Sequence, residues 1–370
     1  MPIVERAPDW ASLEGVWNAL VERSRSASPF LTREWLSRWW DVFGGGRTLV
    51  LLAARPRAGD AIEALAPLML TREGGIRTIR FIGTGLSDSL DFIVSAGGGE
   101  DIRAFFAFLR REVSRWDLVW LGDLIADEGV VRPIEEAAAG AGLKCRRITT
   151  TRAPYLTLEG GWNGFLDGKS PHFRRILKQK EDRASRDSGA FTVERVRTDF
   201  GEPALDALEK IHRGSWKGAE RAASPGGRRE KEFLSRVLRD FSARGWLDLR
   251  IGRVGGRPAA YQINFDFGDK VWIYNNAFNR DFAPLSLGTI LMKRTIEDAF
   301  NEGRRECDFL RGDEAFKSDW TDKSREVVQL VIHRNSPRSR LAALWAVRVW
   351  RDASLLTSRV RRRFARLKER

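Results

Sequence analysis

The chain of 370 residues has few of the residues that build disulfide frameworks or metal sites. Its two cysteines, Cys145 and Cys307, cannot cross-link a fold of this length, so we expect reduced thiols and a cytoplasmic protein. Its three histidines, His172, His212 and His333, lie far from one another and from both cysteines in the sequence. Because a zinc site needs several such ligands, we predict no metal.

Long apolar runs are also missing. No stretch of about 18 apolar residues occurs, and Met1 is followed by Pro-Ile-Val-Glu-Arg, not by a basic segment and an apolar core. The sequence therefore predicts neither a membrane span nor a secretory signal. Hydrophobic residues still make up 42% of the chain and aromatic residues 10%, which suffices for a core and excludes a disordered polyelectrolyte.

The formal net charge of +14 is concentrated at the carboxyl end. Residues 334–370 contain twelve Lys and Arg against Asp352 and Glu369, a net charge of +10, which leaves +4 for residues 1–333. A body this close to neutral argues against a protein whose globular part binds nucleic acid.

The order of helical and strand-like segments predicts an α+β fold. Residues 1–160 and 161–335 each show helices, then antiparallel strands, then a helix and a further strand. We infer two similar lobes with mixed, mostly antiparallel sheets flanked by helices, followed by a basic helical tail over residues 336–370. One continuous α+β sheet is the alternative.

Local signals place several elements. Thr32 is a typical N-cap and Gly44 a typical stop, which predicts a short helix between them. Leu90 to Val94 is predicted to be a strand and Pro171 to Ser188 a basic helix. The pair Gly255-Gly256 predicts a tight hairpin turn.

The most informative stretch is Lys270 to Trp320. A predicted strand, Val271 to Ala277, leads through a loop of small residues into a helix that starts near Ser286. Such a helix begins with free N–H groups and the positive end of its dipole, and this geometry binds a diphosphate. A single glycine in the loop, Gly288, does not by itself identify such a site.

The stretch contains the run Asp-Phe-x-x-Gly-x-x-x-x-Lys-x-x-Trp, from Asp308 to Trp320. It is preceded by Ala277-Phe278-Asn279 and by Ser286-Leu287-Gly288-Thr289. These runs, the first of them most specifically, resemble the CelD-like acetyltransferases, a family associated with bacterial cellulose and exopolysaccharide loci within the GNAT superfamily. Diffuse matches extend the resemblance over residues 25–333.

The resemblance implies two tandem GNAT-like lobes, related in architecture to the FemAB peptidyltransferases, with the first lobe degenerate and acetyl-CoA or another acyl-CoA bound in the second. The donor-binding residues carried over are Ala277, Phe278 and Asn279 along the pantetheine arm and Ser286, Leu287, Gly288 and Thr289 at the pyrophosphate. The run over residues 283–288 keeps only one glycine of the superfamily's usual loop. An acyl-carrier protein, which presents the same arm, is therefore an alternative donor.

GNAT chemistry is a direct attack of an amine on a thioester, so it needs a base for the ammonium and a group that stabilises an oxyanion. The candidate bases are Asp308, His212 and Glu314. Charged residues as dense as Asp308, Arg311, Glu314 and Lys317 are costly to bury unpaired. They are interpreted either as the rim of an active site or as an internal ion-pair network that fixes the loop.

Further basic and aromatic side chains are candidates for substrate contact: Arg174, Arg175, Lys178, Trp216, Arg311 and Lys317. Those on the basic helix would bind phosphates of the donor or acceptor, and Arg311 or Lys317 would meet an anionic sugar nucleotide. A solvated basic face is the alternative for the helix. A packed or surface residue is the alternative to a base for His212.

The tail carries an apolar stripe with helical spacing and arginines opposite it. The stripe consists of Trp345, Val349, Ala353, Leu356, Val360, Phe364 and Leu367. Three interpretations stay open for the helix over residues 341–367: contact with an anionic membrane surface, docking on the body or a partner chain, and binding of a polyanion such as nucleic acid.

These features together predict a cytoplasmic N-acyltransferase, at most peripheral at the inner membrane face. Its acceptor would be an amine, an amino sugar or nucleotide sugar of exopolysaccharide or cell-envelope synthesis. The alternatives are FemAB-type aminoacyl transfer from tRNA to a peptidoglycan-like acceptor, and a non-catalytic GNAT-like scaffold recruited to a polysaccharide synthase. The oligomeric state is left open.

Overall fold

The computed structural model describes residues 1–111, 113, 116–187, 191–215 and 227–348. The chain divides into two compact units. Unit 1 comprises Met1–Ser26, Gly46–Thr150 and Val328–Arg370, and unit 2 comprises Ala27–Gly45 and Thr151–Val327.

Strands and helices follow one another along the described chain. The strands are β1 Ile3–Arg6, β2 Thr48–Arg55, β3 Ala64–Glu73, β4 Ile76–Phe81, β5 Leu118–Ile125, β6 Lys144–Thr157, β7 Phe191–Val196, β8 Leu247–Val254, β9 Arg257–Phe267, β10 Lys270–Phe278, β11 Glu306–Asp308 and β12 Ser324–His333. The helices are α1 Glu14–Glu22, α2 Arg33–Phe43, α3 Gly99–Arg111, α4 Glu128–Gly140, α5 Gly161–Asp167, α6 Pro171–Asp187, α7 Glu202–Gly214, α8 Gly227–Ala243, α9 Leu287–Asn301, α10 Ala315–Ser318 and α11 over residues 337–348.

The sheets of the two units have the same topology. Strands β1-β2-β3-β4-β5 are neighbours in this order in unit 1, and β7-β8-β9-β10-β11 are neighbours in this order in unit 2. In unit 1 the pairs from β1 to β4 are antiparallel and β4–β5 is parallel. Unit 2 repeats this pattern, with antiparallel pairs from β7 to β10 and a parallel pair β10–β11. The predicted α+β fold with two similar lobes is confirmed.

Helix α2 packs in the core of unit 2. The hydroxyl of Thr32 accepts a hydrogen bond from the backbone N–H of Trp35 at 3.3 Å, which confirms the predicted cap. The indole of Trp35 is fully buried, and its ring lies 5.0 Å from that of Phe233 and 5.8 Å from that of Phe265. Because buried aromatic contacts contribute strongly to a core, residues 27–45 join unit 2, whereas the sequence analysis assigned them to the first lobe.

The predicted strand from Leu90 to Val94 is not formed as a ladder. Ile93 makes an isolated bridge with Leu65. The side chain of Asp91 accepts a hydrogen bond from the N–H of Phe92 at 2.8 Å and is paired with Arg25 at 2.8 Å. A carboxylate that binds the adjacent backbone N–H competes with strand pairing, which the alternation of apolar residues did not indicate.

Candidate active site

The sheet of unit 2 opens between β10 and β11. The two strands pair in parallel over three residues, from Lys270 opposite Glu306 to Trp272 opposite Asp308. Strand β11 ends there, whereas β10 continues along β9 to Phe278. Beyond Trp272 the edge of β10 is no longer paired with β11, and such an edge offers N–H and C=O groups to an extended ligand.

The loop after β10 leads into the N-terminus of α9. Ser286 adopts a left-handed conformation with φ 52°, which turns the chain into the helix. The first turn of α9 contains no acidic residue, so its N–H groups and the positive dipole end meet no negative side chain of that turn. A Cβ added at Gly288 would meet no atom within 4 Å. This N-terminus has the geometry that binds phosphate groups.

Helix α6 supplies a cation to this N-terminus. The Nζ of Lys180 donates to the Oγ1 of Thr289 at 3.1 Å, and an N–H of Arg183 donates to the carbonyl of Pro284 at 3.3 Å. The sequence analysis missed both cations, because tertiary packing decides which side of α6 meets α9. Lys180 follows the buried Leu177 by three residues, and this spacing is the signal that could have found it.

A cavity of about 620 Å³ lies between α6, the end of β10, the start of α9 and the α10 segment. Its lining includes Lys169, Phe173, Leu177, Lys180, Asn276, Phe278, Ser286, Leu287, Gly288, Thr289, Met292, Phe316 and Trp320. Five of the seven predicted donor-binding residues thus line one cavity. Ala277 is 7% exposed within β10, and the side chain of Asn279 caps the following turn by accepting from the N–H of Asp281 at 3.1 Å. Their role in donor binding stays a prediction.

Lys169 forms part of the cavity wall and was not among the predicted residues. Its Nζ donates to the carbonyls of Asp319 and Trp320 at 2.9 and 2.7 Å. It also lies 5.0 Å from the ring centroid of Phe165 and 5.5 Å from that of Phe173. Burial lowers the pKa of the Lys169 ammonium. The ammonium ties the segment before α6 to residues 319–320.

The predicted cations of α6 do not line the cavity. Arg174 is exposed and pairs with Asp167 at 3.3 Å, Arg175 lies 3.2 Å from the ring of His172, and Lys178 is exposed. Their positions agree with the alternative of a solvated basic face. Trp216 lies outside the described residues, so its predicted contact with substrate is not placed.

Asp308 lies where the opening between β10 and β11 begins. Its neighbour Cys307 packs with Val271 and Met292 in one buried cluster. Because side chains alternate along a strand, Asp308 points to the other face of the sheet. It is 3% exposed, accepts a hydrogen bond from the N–H of Leu310 at 2.7 Å, and its pKa is raised to about 6 by burial.

A compact ion-pair network surrounds Asp308. Glu306 binds Arg325 through both oxygens at 3.0 and 2.5 Å and accepts from Lys270 at 3.0 Å. The guanidinium of Arg325 is 3.6 Å from Asp308 and lies 3.6 Å above the ring of Tyr155. Despite burial, these cations lower the pKa of Glu306. The network therefore holds charged Glu306 beside an Asp308 whose pKa is raised.

The ammonium of Lys317 is held inside its own loop. Lys317 is 6% exposed, and its Nζ donates to the carbonyls of Leu310, Arg311 and Gly312 at 3.2, 3.1 and 3.3 Å. It also pairs with Glu314 at 3.0 Å. These contacts correspond to the internal network that the sequence analysis weighed against a substrate-binding rim. The side chain of Arg311 is half-buried and that of Glu314 exposed.

His212 lies in the last turn of α7, half-buried. The same turn approaches the end of β10 closely: a Cβ added at Gly214 would fall 2.6 Å from the Asn279 side chain. Only glycine fits this approach without a shift of Asn279. The turn that carries His212 thus contacts the loop that leads from β10 to α9, and a role of His212 as a base stays a prediction.

The helix of unit 1 that corresponds to α9 has acidic side chains in its first turn, whereas α9 has none. Helix α3 has Glu100 and Asp101 in its first turn, and burial together with the neighbouring Glu63 and Glu100 raises the pKa of Asp101. Acidic groups at a helix N-terminus repel an anion that would otherwise bind there. This charge pattern accords with the degenerate first lobe that the resemblance implies.

Comparison with known families agrees with this geometry. Residues 171–318 match the model of a family described as acetyltransferase (GNAT) domain, a range that includes α6, the opening between β10 and β11 and most of the cavity lining. Residues 171–318 are thus similar to a GNAT acetyltransferase domain, and the protein is an acyltransferase. The comparison with curated proteins gives no match. Among the described residues, no three or more His, Cys, Asp or Glu side chains are grouped so as to hold a metal.

Several solved structures share the fold of this acyltransferase. FemX superposes with a TM-score of 0.66 at 11% identity, covering 92% of this chain and 100% of FemX. The C-terminal domain of a putative lysylphosphatidylglycerol synthetase from Agrobacterium fabrum gives 0.58 at 14% identity, over 92% and 96% of the two chains. L-PGS from Bacillus licheniformis gives 0.55 at 12% identity with the same coverage. At these identities the likeness shows the fold alone.

Proposed function

We propose that the protein transfers an acetyl or longer acyl group from acyl-CoA to an amine. The observation that carries the proposal is the meeting of three features in unit 2. The N-terminus of α9 lacks acidic residues in its first turn, Lys180 lies 3.1 Å from Thr289 in that turn, and the cavity beside them reaches the open edge of β10.

In this proposal the diphosphate of CoA binds at residues 286–289, where backbone N–H groups and the Lys180 ammonium supply positive charge. The pantetheine arm lies along residues 276–279 of the chain. Asn276 and Phe278 line the cavity, and an extended arm with two amides matches the hydrogen-bonding pattern of an unpaired strand edge. The thioester then lies near the start of the opening.

The acceptor amine approaches from the face of the sheet that bears Asp308. A general base must be deprotonated at the working pH and must reach the proton that it removes. The raised pKa of Asp308, about 6, leaves it charged at neutral pH and a better proton acceptor than an ordinary carboxylate. Backbone N–H groups on the open edge of β10 would stabilise the oxyanion, and the thiolate of CoA is the leaving group.

The proposed acceptor class is an amino sugar or nucleotide sugar of exopolysaccharide or cell-envelope synthesis. This choice follows the CelD-like resemblance of the run from Asp308 to Trp320. The enzyme would act in the cytoplasm, where acyl-CoA is available. An acyl-carrier protein is the alternative donor, because it presents the same pantetheine arm.

Aminoacyl transfer from tRNA is the second candidate. The superposition with FemX over 92% of the chain supports the shared architecture, whereas the charge of only +4 on residues 1–333 disfavours a tRNA platform.

Calorimetry with acetyl-CoA, a long-chain acyl-CoA and CoA tests the donor. Binding of at least one in the micromolar range, with thiol release when an amino sugar is added, would support acyl transfer. A mass-spectrometric panel of acyl-CoAs and amino sugars would then identify both substrates. Absence of heat with all three ligands would contradict the CoA-dependent reaction. Transfer of an aminoacyl group from charged tRNA, without transfer from any acyl-CoA, would favour the second candidate.

A further inference from the structure

Helix α11 of unit 1 buries its alanines against the sheet and exposes most of its larger apolar side chains. Its small residues Ala342, Ala343 and Ala346 are buried at 4%, 8% and 1% exposure, against Leu118, Trp120 and Val331 of the sheet. Three of its larger apolar residues, Leu341, Leu344 and Trp345, are instead exposed at 68%, 62% and 44%, while Val347 is partly buried against the same cluster. A helix that only stabilised the sheet would bury its large side chains and expose its alanines, because burial of apolar area is what stabilises packing.

The exposed residues form one face. Leu341, Leu344 and Trp345 are three or four residues apart, so they are neighbours on a helix surface. Leu341 precedes Trp345 by four residues and thus extends the predicted apolar stripe towards the amino end of α11. Together they make a contiguous apolar patch in place of the scattered single residues that are normal on a surface. We call this patch the α11 apolar face.

Arginines flank the α11 apolar face. Arg340 and Arg348 are exposed, and Arg340 is bonded to the side-chain oxygen of Asn335, one contact being 3.1 Å. Arg338 pairs with Asp117 at 2.8 Å while its side chain stays 67% exposed. The sequence after residue 348 adds eight further Lys and Arg against Asp352 and Glu369. The described helix therefore carries exposed arginines, and the sequence that follows it is strongly cationic.

We propose that the α11 apolar face is a binding surface for an anionic lipid bilayer. Leu and Trp side chains enter the boundary between headgroups and acyl chains, where tryptophan is favoured. Nearby Lys and Arg side chains add electrostatic attraction to an anionic leaflet. A protein partner would have to match both the apolar patch and this charge, whereas an anionic bilayer offers both over its whole surface.

The inference is independent of the proposed reaction, because the surface lies in unit 1 and the cavity in unit 2. Among the described residues no helix is both long and apolar enough to span a bilayer. The contact would thus be interfacial, with α11 lying in the plane of the membrane surface.

Flotation of the full chain with vesicles tests the surface. The variant Leu341→Gln/Leu344→Gln/Trp345→Gln removes the apolar face and keeps helix-compatible residues. We expect the unaltered chain to float with vesicles of equal parts phosphatidylcholine and phosphatidylglycerol and not with phosphatidylcholine alone. The triple variant should lose at least about tenfold in partitioning. Ile3→Gln, which alters an exposed apolar residue of the same unit (45% exposed), should bind like the unaltered chain.

The triple variant should transfer an acyl group to a soluble amine at an unchanged rate. Circular dichroism should show that the triple variant is folded. Three results would overturn the inference. The first is no binding of the unaltered chain to anionic vesicles, the second is flotation of the triple variant equal to that of the unaltered chain, and the third is dissociation of a dimer by the triple substitution in light scattering. The last result would assign the α11 apolar face to a second copy of the chain.

Discussion

The Nζ of Lys180 lies 3.1 Å from the Oγ1 of Thr289, so a side chain of α6 places positive charge at the first turn of α9. Neither helix would make the proposed anion site alone. The N-terminus of α9 supplies directed N–H groups, and α6 supplies the full charge of Lys180. Because Lys180 is half-buried and close to the helix end, solvent screens its charge only partly. The site therefore depends on the packing of α6 against α9.

Loss of that charge should weaken donor binding. In Lys180→Gln we expect the dissociation constant for acetyl-CoA to rise by about tenfold, because one charge-assisted contact to phosphate is removed. The matched control is Lys178→Gln on the exposed side of the same helix, which should bind as the unaltered protein does. Calorimetry at low and high salt measures both. Equal weakening in the two variants would mean that only the general charge of α6 matters.

A negative charge placed at the start of α9 should separate stability from binding. A side chain at Gly288 has open space, and an aspartate in a first turn stabilises a helix by about 0.3–1 kcal/mol. Gly288→Asp should therefore melt at the same or a higher temperature. It should nevertheless bind acetyl-CoA at least about tenfold more weakly, because it occupies and repels the position of the diphosphate.

The control for that experiment is Gly288→Ala, which adds bulk without charge and should retain most of the affinity. If Gly288→Asp binds donor normally, the diphosphate does not lie at this helix end. Calorimetry and thermal unfolding on the same samples distinguish the two properties.

The contacts of Lys317 predict a structural effect on substitution. Lys317→Met leaves the carbonyls of Leu310, Arg311 and Gly312 without their shared donor, so we expect a loss of about 2–4 kcal/mol in the free energy of unfolding. Urea unfolding measures the loss, and hydrogen exchange should rise over residues 309–320. Lys323→Gln, at an exposed lysine bonded to Thr157 at 3.2 Å, should change stability little. A raised KM without loss of stability would restore the substrate-binding interpretation.

The sequence predicted the features that local signals determine and missed those that depend on packing between distant segments. Caps and periodicity predicted α2 with its Thr32 cap, and also β10, the loop after it and helix α9, because these signals are local. Lys180 was missed, because the partner of a helix face is set by packing between distant segments. The choice between a rim and an internal network stayed open for Lys317, because its burial depends on a loop in which Leu310 is left-handed with φ 59°, a conformation rare for leucine.

The pH dependence of the reaction tests Asp308 as the base. Folding raises the pKa of this carboxyl to about 6 by burial, so the charged form that accepts a proton is lost as the pH falls through that value. With free enzyme, kcat/KM should decline about tenfold per pH unit below 6 if one group must be deprotonated. In Asp308→Asn we expect kcat to fall by about 10²–10⁴-fold at neutral pH, with the acid limb removed from the residual activity.

Stability provides the control for Asp308→Asn. A raised folded pKa means that Asp308 favours the folded state below the unfolded pKa, and this contribution is lost as the pH rises through about 6. At pH 8 the substitution removes a buried charge, and the asparagine oxygen can still accept from the N–H of Leu310, so the variant should unfold near the temperature of the unaltered protein. A variant that is folded and keeps both its kcat and its acid limb would exclude Asp308 as the base and leave it a positioning role at the Leu310 turn.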